Sequence, residues 1–204
     1  MKHKPKNPGG RPKSFERDAV LDAAVLVFWE RGYEGASLDD LTRAMGINRP
    51  SLYATFGNKH GLFLEALDRY VSVQGKVQSE PLRNEADIKS AVEGYYNEII
   101  RTVKSPSGPC GCLIACVASE VAERDEIVRK KIAANLRRSE DFLNHRLKQA
   151  DVNAQNMPPL TGALILSAGM SLAQRARLGA STEELRAVAG GYIDHFFHAK
   201  TKSA

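Results

Sequence analysis

Residues 37–59 constrain this chain more than any other stretch. They read Ser-Leu-Asp-Asp-Leu-Thr-Arg-Ala-Met-Gly-Ile-Asn-Arg-Pro-Ser-Leu-Tyr-Ala-Thr-Phe-Gly-Asn-Lys. Ser37 is a good N-cap, and Asp39 and Asp40 put negative charge in the first turn of a helix, where the macrodipole favours it. Leu38, Leu41 and Met45 recur at helical spacing. Gly46 supplies the left-handed residue that ends such a helix. Asn48 then caps a second helix, with Pro50 in its first turn, where a missing N–H costs nothing. Two short helices about a glycine turn make a helix-turn-helix, whose second helix enters the DNA major groove.

That second helix is polar on the face a core does not need. Asn48, Arg49, Ser51 and Thr55 offer hydrogen bonds to base edges or phosphates, and Arg49 is the best single reader of guanine. Tyr53 is amphipathic and suits a phosphate or a thymine methyl. Leu52 is counted with this interface helix, although it and Phe56, four apart, face inward. Ser37 and Lys59 stand at helix N-termini, where phosphates bind. On spacing alone, an ordinary surface helix with a few polar residues remains the alternative.

Charge supports a nucleic-acid partner. The chain has 204 residues, with 29 Lys or Arg, 24 Asp or Glu and a net charge of +5. Lys2, Lys4, Lys6, Arg11 and Lys13 lie in residues 1–13 with no acid, so the whole excess sits in the arm MKHKPKNPGGRPK. This Pro- and Gly-rich arm has no apolar period and is expected to be disordered when free. Arg11 and Lys13 are then expected on phosphates or in the minor groove. A solubilising tail is the plainer alternative.

Several function classes are excluded. No apolar run approaches the roughly 18 residues of a membrane span, and no apolar segment follows Lys2–Lys6 as a signal peptide requires. Three cysteines cannot all pair within one chain, which suits a reduced, cytoplasmic protein. The histidines are scattered; His195 and His198, three apart on one helix, suit an interface or an exposed helix end better than a ligand set. There is no HExxH, no GxSxG, no phosphate-binding glycine loop and no Cys-x-x-Cys pair. The reading is therefore no enzyme, no catalytic residue, no cofactor and no metal.

Helical periodicity runs through the rest, giving an all-α chain of about nine helices. Ser14 caps a first helix, with Val20, Ala23, Ala24, Val27 and Phe28 inward and Gly32 as its stop. Asn58 caps a fourth that runs towards Gln78, with Pro81 in the link beyond. Ala86 to about Lys104 carries Ile88, Val92, Tyr95, Tyr96, Ile99 and Val103 on one stripe. SPSGPCG at 105–111 is a loop. Leu113 to about Ala122 is a short apolar helix, and Arg124 to about Gln149 a long amphipathic one, with Ile127, Ile132, Leu136, Phe142 and Leu147 among its apolar positions. A break at 153–159 precedes Leu160–Leu178 and Thr182–His198. These last two helices are rich in small residues and nearly uncharged over TGALILSAGMSLAQRA. A helix apolar almost all round is buried on more than one side, so they form either a subunit interface or the C-terminal core.

An ordered set of matches covers about fifty residues: the Ala-Ala helix AVLDAAVLVFWERG, then Gly-Tyr, the Ser37 cap, Met-Gly-Ile, Leu-Tyr-x-x-Phe and the Lys that opens the next helix. In these the chain resembles the N-terminal DNA-binding domain of the TetR family of bacterial transcription regulators. The resemblance implies a three-helix DNA-binding domain at 14–60, after the arm at 1–13, and a ligand-sensing and dimerisation domain at 61–204. It implies a homodimer through a four-helix bundle of the last two helices, on a palindromic double-stranded DNA operator, and release of a repressor by a small-molecule effector. Tyr70, Tyr95, Tyr96, Cys116, Phe142 and Met170 are the candidate lining residues of the effector pocket.

Cys110, Cys112 and Cys116 fall within seven residues at a loop-to-helix junction. Cys112 stands near a helix N-terminus, where the dipole lowers a thiol pKa, and is the candidate sensor thiol. Three thiols also suit a soft metal, and buried free cysteines are commonly small hydrophobes. Two alternatives to the ligand-released regulator stay open: a thiol-based or soft-metal sensor of the same fold, and a DNA-binding protein with no ligand.

Overall fold

The computed structural model describes residues 13–106, 108–150 and 160–198. The arm with Arg11, the side chain of Lys13 and the break at 153–159 lie outside the described residues. Nine helices and no strand occur among the described residues. Helix α1 is Lys13–Gly35, so Ser14 falls inside its first turn rather than at its cap. Its regular course breaks at Gly32, whose φ of 74° is open to glycine, as the sequence predicts. Helix α2 is Leu38–Met45 and α3 is Arg49–Phe56. Helix α4 starts as Lys59–Tyr70, passes through one widened π turn at Val71–Gly75 and continues as Lys76–Asn84. Helix α5 is Ile88–Val103, capped by Asp87. Helix α6 opens with a second π turn, Ile114–Ala118, and ends as Ser119–Ala122. Helices α7, α8 and α9 are Glu126–Ala150, Thr161–Arg177 and Thr182–His198.

Pro81 is not in a link but inside the last turns of α4. There its missing N–H forfeits one ladder bond, while its carbonyl accepts from Glu85 N at 3.0 Å. Gly94 of α5 clears the space for its ring: a Cβ at 94 would lie 2.6 Å from Pro81 Cβ.

Two apolar cores divide the molecule. The first joins α1, α2, α3 and the first half of α4, and receives Leu113, Val117 and Ala118 from α6 and Val128 from α7. Phe28 and Phe63 are wholly buried and meet edge-on at 5.0 Å. Burial of each such ring contributes about 1.5–3 kcal/mol. The head's core therefore extends past residue 60 as far as Tyr70. The second core joins α5, α7, α8 and α9 around Tyr96, Leu143, Ile165, Leu172 and Leu185. Along α7 the buried seam runs through Val128, Leu143 and Leu147, whereas Ile127 is 57% and Leu136 37% exposed.

Candidate nucleic-acid interface and effector cavity

The turn from α2 to α3 is built from side-chain caps. Ser37 Oγ accepts from Asp40 N at 3.0 Å and donates to Asp40 Oδ2 at 2.6 Å. That hydroxyl, with Arg31 at 2.7 Å, holds the Asp40 carboxyl below its ordinary range. Gly46 takes the left-handed conformation at φ 65°, and Ile47 N then donates to Thr42 O at 3.1 Å. Asn48 Oδ1 accepts from Ser51 N at 2.8 Å and starts α3.

Helix α3 turns two side chains inward, Leu52 and Phe56. Leu52 is wholly buried in the head's core, so it supports the interface and does not touch DNA. Asn48, Arg49, Ser51, Tyr53 and Thr55 all stand exposed on the opposite face. The Arg49 guanidinium is held by Asp39 Oδ1, at 2.8 Å from Nη2 and 3.2 Å from Nε, with both side chains open to solvent. Lys59 begins α4 but points back towards α1: its Nζ lies 4.7 Å from the Tyr33 ring centroid and donates to Glu34 O at 3.4 Å.

Ion pairs fasten α4 to α1. Arg69 bonds Asp22 at 2.6 Å and Asp18 at 2.9 Å, and Arg17 pairs with Glu65. From the other side, Lys131 of α7 reaches Asp68 at 2.6 Å, and Asp125 lies 2.6 Å from His60 at the start of α4. Backbone N–H groups of α7, first that of Val128, then His60, hold the Asp125 carboxyl below its ordinary range.

The second half of α4 forms a wall of a cavity of about 470 Å³, closed by α5, the start of α6, α7 and α8. Its volume falls within the range of small-molecule sites. Of the six candidate lining residues, Tyr70, Tyr95, Phe142 and Met170 stand in its wall. Tyr96 does not: it is wholly buried in the second core, donating to Ile165 O at 3.0 Å. Cys116 does not line it either, and Cys112 does. Tyr70 Oη donates to Cys112 Sγ at 3.3 Å.

Cys112 is not the acidic thiol its place near a helix start suggests. Desolvation pushes its pKa up, against the opposing pull of the Tyr70 hydroxyl and the Ala115 and Ile114 N–H groups. Burial outweighs the helix terminus because the thiolate would lose its water. Cys110 is exposed and donates to Ala176 O at 3.1 Å. No cluster of metal-ligating side chains occurs among the described residues.

The cavity also has members that sequence reasoning missed, among them Lys76, Ser79 and Arg83 of α4 and Asn135, Arg138 and Ser139 of α7. Their signal was present as polar residues recurring at three- and four-residue spacing beside apolar ones.

In α8 and α9, Gly162, Ala168, Gly169 and Ile193 are buried within the chain's own core. The outer stripe of α8 is Leu160, Leu164, Ser167, Ser171, Gln174 and Leu178, of which Leu164 is 48% and Leu178 86% exposed. On α9, Ala187, Gly190 and Gly191 are exposed, and nothing lies within 4 Å of a Cβ placed on either glycine.

The fold and its head define a helix-turn-helix regulator of transcription, and comparison with known proteins agrees. The family model "Bacterial regulatory proteins, tetR family" matches residues 20–66. The HTH-type transcriptional repressor ComR of Escherichia coli (strain K12) is 34% identical over 194 residues, spanning 91% of this chain and 90% of ComR. A structure of a cysteine mutant of the TetR family transcriptional regulator CifR, complexed with 26-base-pair double-strand operator DNA, aligns with a TM-score of 0.78 and 32% identity. It covers 90% of this chain and 98% of CifR. SCO4454 from Streptomyces coelicolor, at 18% identity and a TM-score of 0.74, shares the fold. The chain belongs to the TetR family and is a DNA-binding transcriptional regulator. Among the described residues, no helix is long and apolar enough to cross a membrane.

Proposed function

We propose that this protein is a repressor that binds a palindromic operator as a homodimer and releases it when a small molecule occupies the cavity. One observation carries the release step: α4 is shared between the two functions. Its first half is fastened to α1 by Arg69 and Arg17, and its second half walls the cavity. A ligand wedged against the 71–83 segment pushes on the helix that carries the head. Release follows if the two heads leave the spacing that two half-sites require.

In this reading Arg49 and Asn48 contact bases, and Ser51, Tyr53 and Thr55 contact bases or phosphates. Ser37 and Lys59 meet phosphates at helix N-termini, and Arg11 and Lys13 add backbone contacts from the arm. The dimer seam is the outer stripe of α8 with the small-residue face of α9. CifR, complexed with operator DNA, and ComR, named a repressor, support the reading.

Cys112 in the cavity wall favours a second reading, in which an electrophilic effector is captured covalently. Its raised pKa makes that capture slow unless the cavity first holds the compound. A regulator with no ligand is disfavoured by an open cavity against α4. Selection of bound duplexes from a random or genomic pool tests the central claim. An enriched palindrome, bound with steep salt dependence, is expected; a pool that stays unenriched would reject it.

A further inference from the structure

The cavity lining is of two kinds, apolar and cationic. Its apolar part is made by Leu82, Tyr95, Ile99, Phe142, Leu166 and Ala173. Gly169 lets the backbone of α8 form part of the wall, since a Cβ there would lie 2.8 Å from Ile99 Cδ1 and 3.0 Å from Tyr95 Oη. Among the described residues the charged groups in the lining are Lys76, Arg83 and Arg138, with no carboxylate. Arg83 lies over the Phe142 ring at 4.7 Å, with Nε donating to Ser79 Oγ at 3.4 Å. Arg138 Nε donates to Ala134 O at 3.4 Å. None of the three cations has a carboxylate partner among the described residues.

Lys76, Arg83 and Arg138 are all exposed, so they stand at the rim. Three like charges there raise a positive potential over a concave, partly apolar site, which favours an anion over a cation. Guanidinium groups pair carboxylates and phosphates through two parallel N–H bonds. Resting on the reading of this cavity as the effector site, we infer that the effector is an amphipathic anion. Its apolar body lies among Tyr95, Ile99, Phe142 and Leu166, and its carboxylate or phosphate head meets Arg83, Arg138 and Lys76. Binding cancels the repulsion among cations of α4 and α7, drawing those helices together and stressing the 71–83 segment.

Calorimetric titration of the full chain with four ten-carbon probes tests this: decanoate, decyl phosphate, 1-decanol and decyltrimethylammonium. At least one anion is expected to bind ten times or more tighter than 1-decanol, with no binding of the cation. The two anions compared with each other identify the head. The double variant Arg83→Met/Arg138→Met keeps the apolar stems and is expected to erase the preference. Equal binding of anion and alcohol, or an undiminished preference in the double variant, overturns the proposal. The effector reading is judged apart by Ser139→Trp, which fills the cavity. If 1-decanol binds as well as the anions and Ser139→Trp blocks both, the cavity reading stands and the anion assignment fails. If none of the four binds, the anion assignment is overturned, and the effector reading then rests on whether Ser139→Trp alone weakens binding to the selected duplex.

Discussion

Arg49 stands on the open face of α3 with its guanidinium bound to Asp39. Both partners are exposed, so the pair contributes little to stability and exchanges readily for a base edge or phosphate. Arg49→Ala is expected to cost about 1–3 kcal/mol of operator binding and to relax specificity at one base pair per half-site. Lys59→Ala, by contrast, is expected to weaken all duplexes alike and to lower the salt slope by about one. Titrations of single-base operator variants at several salt concentrations separate the two. The thiols make the opposite kind of case. Cys112 sits behind Tyr70 with its pKa raised, while Cys110 is exposed. Near neutral pH the Cys112 thiol stays protonated, so iodoacetamide is expected to alkylate Cys110 first. Mass spectrometry of timed samples checks the order, and faster labelling of Cys112 would restore the acidic-thiol reading. The sequence placed Cys112 correctly near the start of a helix but carried no sign of the α4 and α5 tyrosines that enclose it. A local dipole is legible in sequence, whereas desolvation depends on residues 17 and 42 positions away.

At the scale of elements, local rules read well and long-range ones did not. Ser37, Asn48 and Asn58 each cap the helix the sequence assigns them, because a cap is a bond across three residues. Gly46 stops α2, and Gly32 breaks the course of α1, for the same local reason. Pro81 misled because its fit is set by Gly94 of another helix. The widened turns at Val71–Gly75 and Ile114–Ala118 left no sequence mark that periodicity detects. Two predictions belong here. Asn58→Ala removes the cap that accepts from Gly61 N at 2.8 Å and is expected to destabilise the head by about 1 kcal/mol; thermal unfolding measures it. Asp125 has its carboxyl held below the ordinary range, so its stabilising effect is present above the unfolded carboxylate pKa and is lost as pH falls through the folded one. Asp125→Asn should therefore lower the melting temperature at neutral pH, and the gap from the parent should close on acidification. A gap that is constant with pH would mean the carboxylate charge is irrelevant at that junction.

For the whole molecule, the proposed dimer seam on the outer face of α8 is the feature to test. Leu160, Leu164, Ser167, Ser171, Gln174 and Leu178 alternate at four- and three-residue spacing, the repeat that keeps one seam of a helix facing a partner. Leu164 and Leu178 are largely open on that stripe, and Gly190 and Gly191 of α9 have open space about them that leaves room for a close helix approach. A two-fold seam of this kind buries the same residues from both copies. Charge placed there meets its own image, so Leu164→Glu/Leu178→Glu is expected to yield a folded monomer. Each monomer then holds one half-site, and affinity for the palindrome falls steeply while single half-sites bind as before. The choice of positions matters. Ala168 and Ile193 are 4% and 5% exposed within one chain, so Glu at either would unfold the second core and report nothing on assembly. Sedimentation beside circular dichroism distinguishes the cases: an unchanged helical spectrum with half the mass supports the seam. A double variant that sediments as the parent does would move the dimer contact off α8.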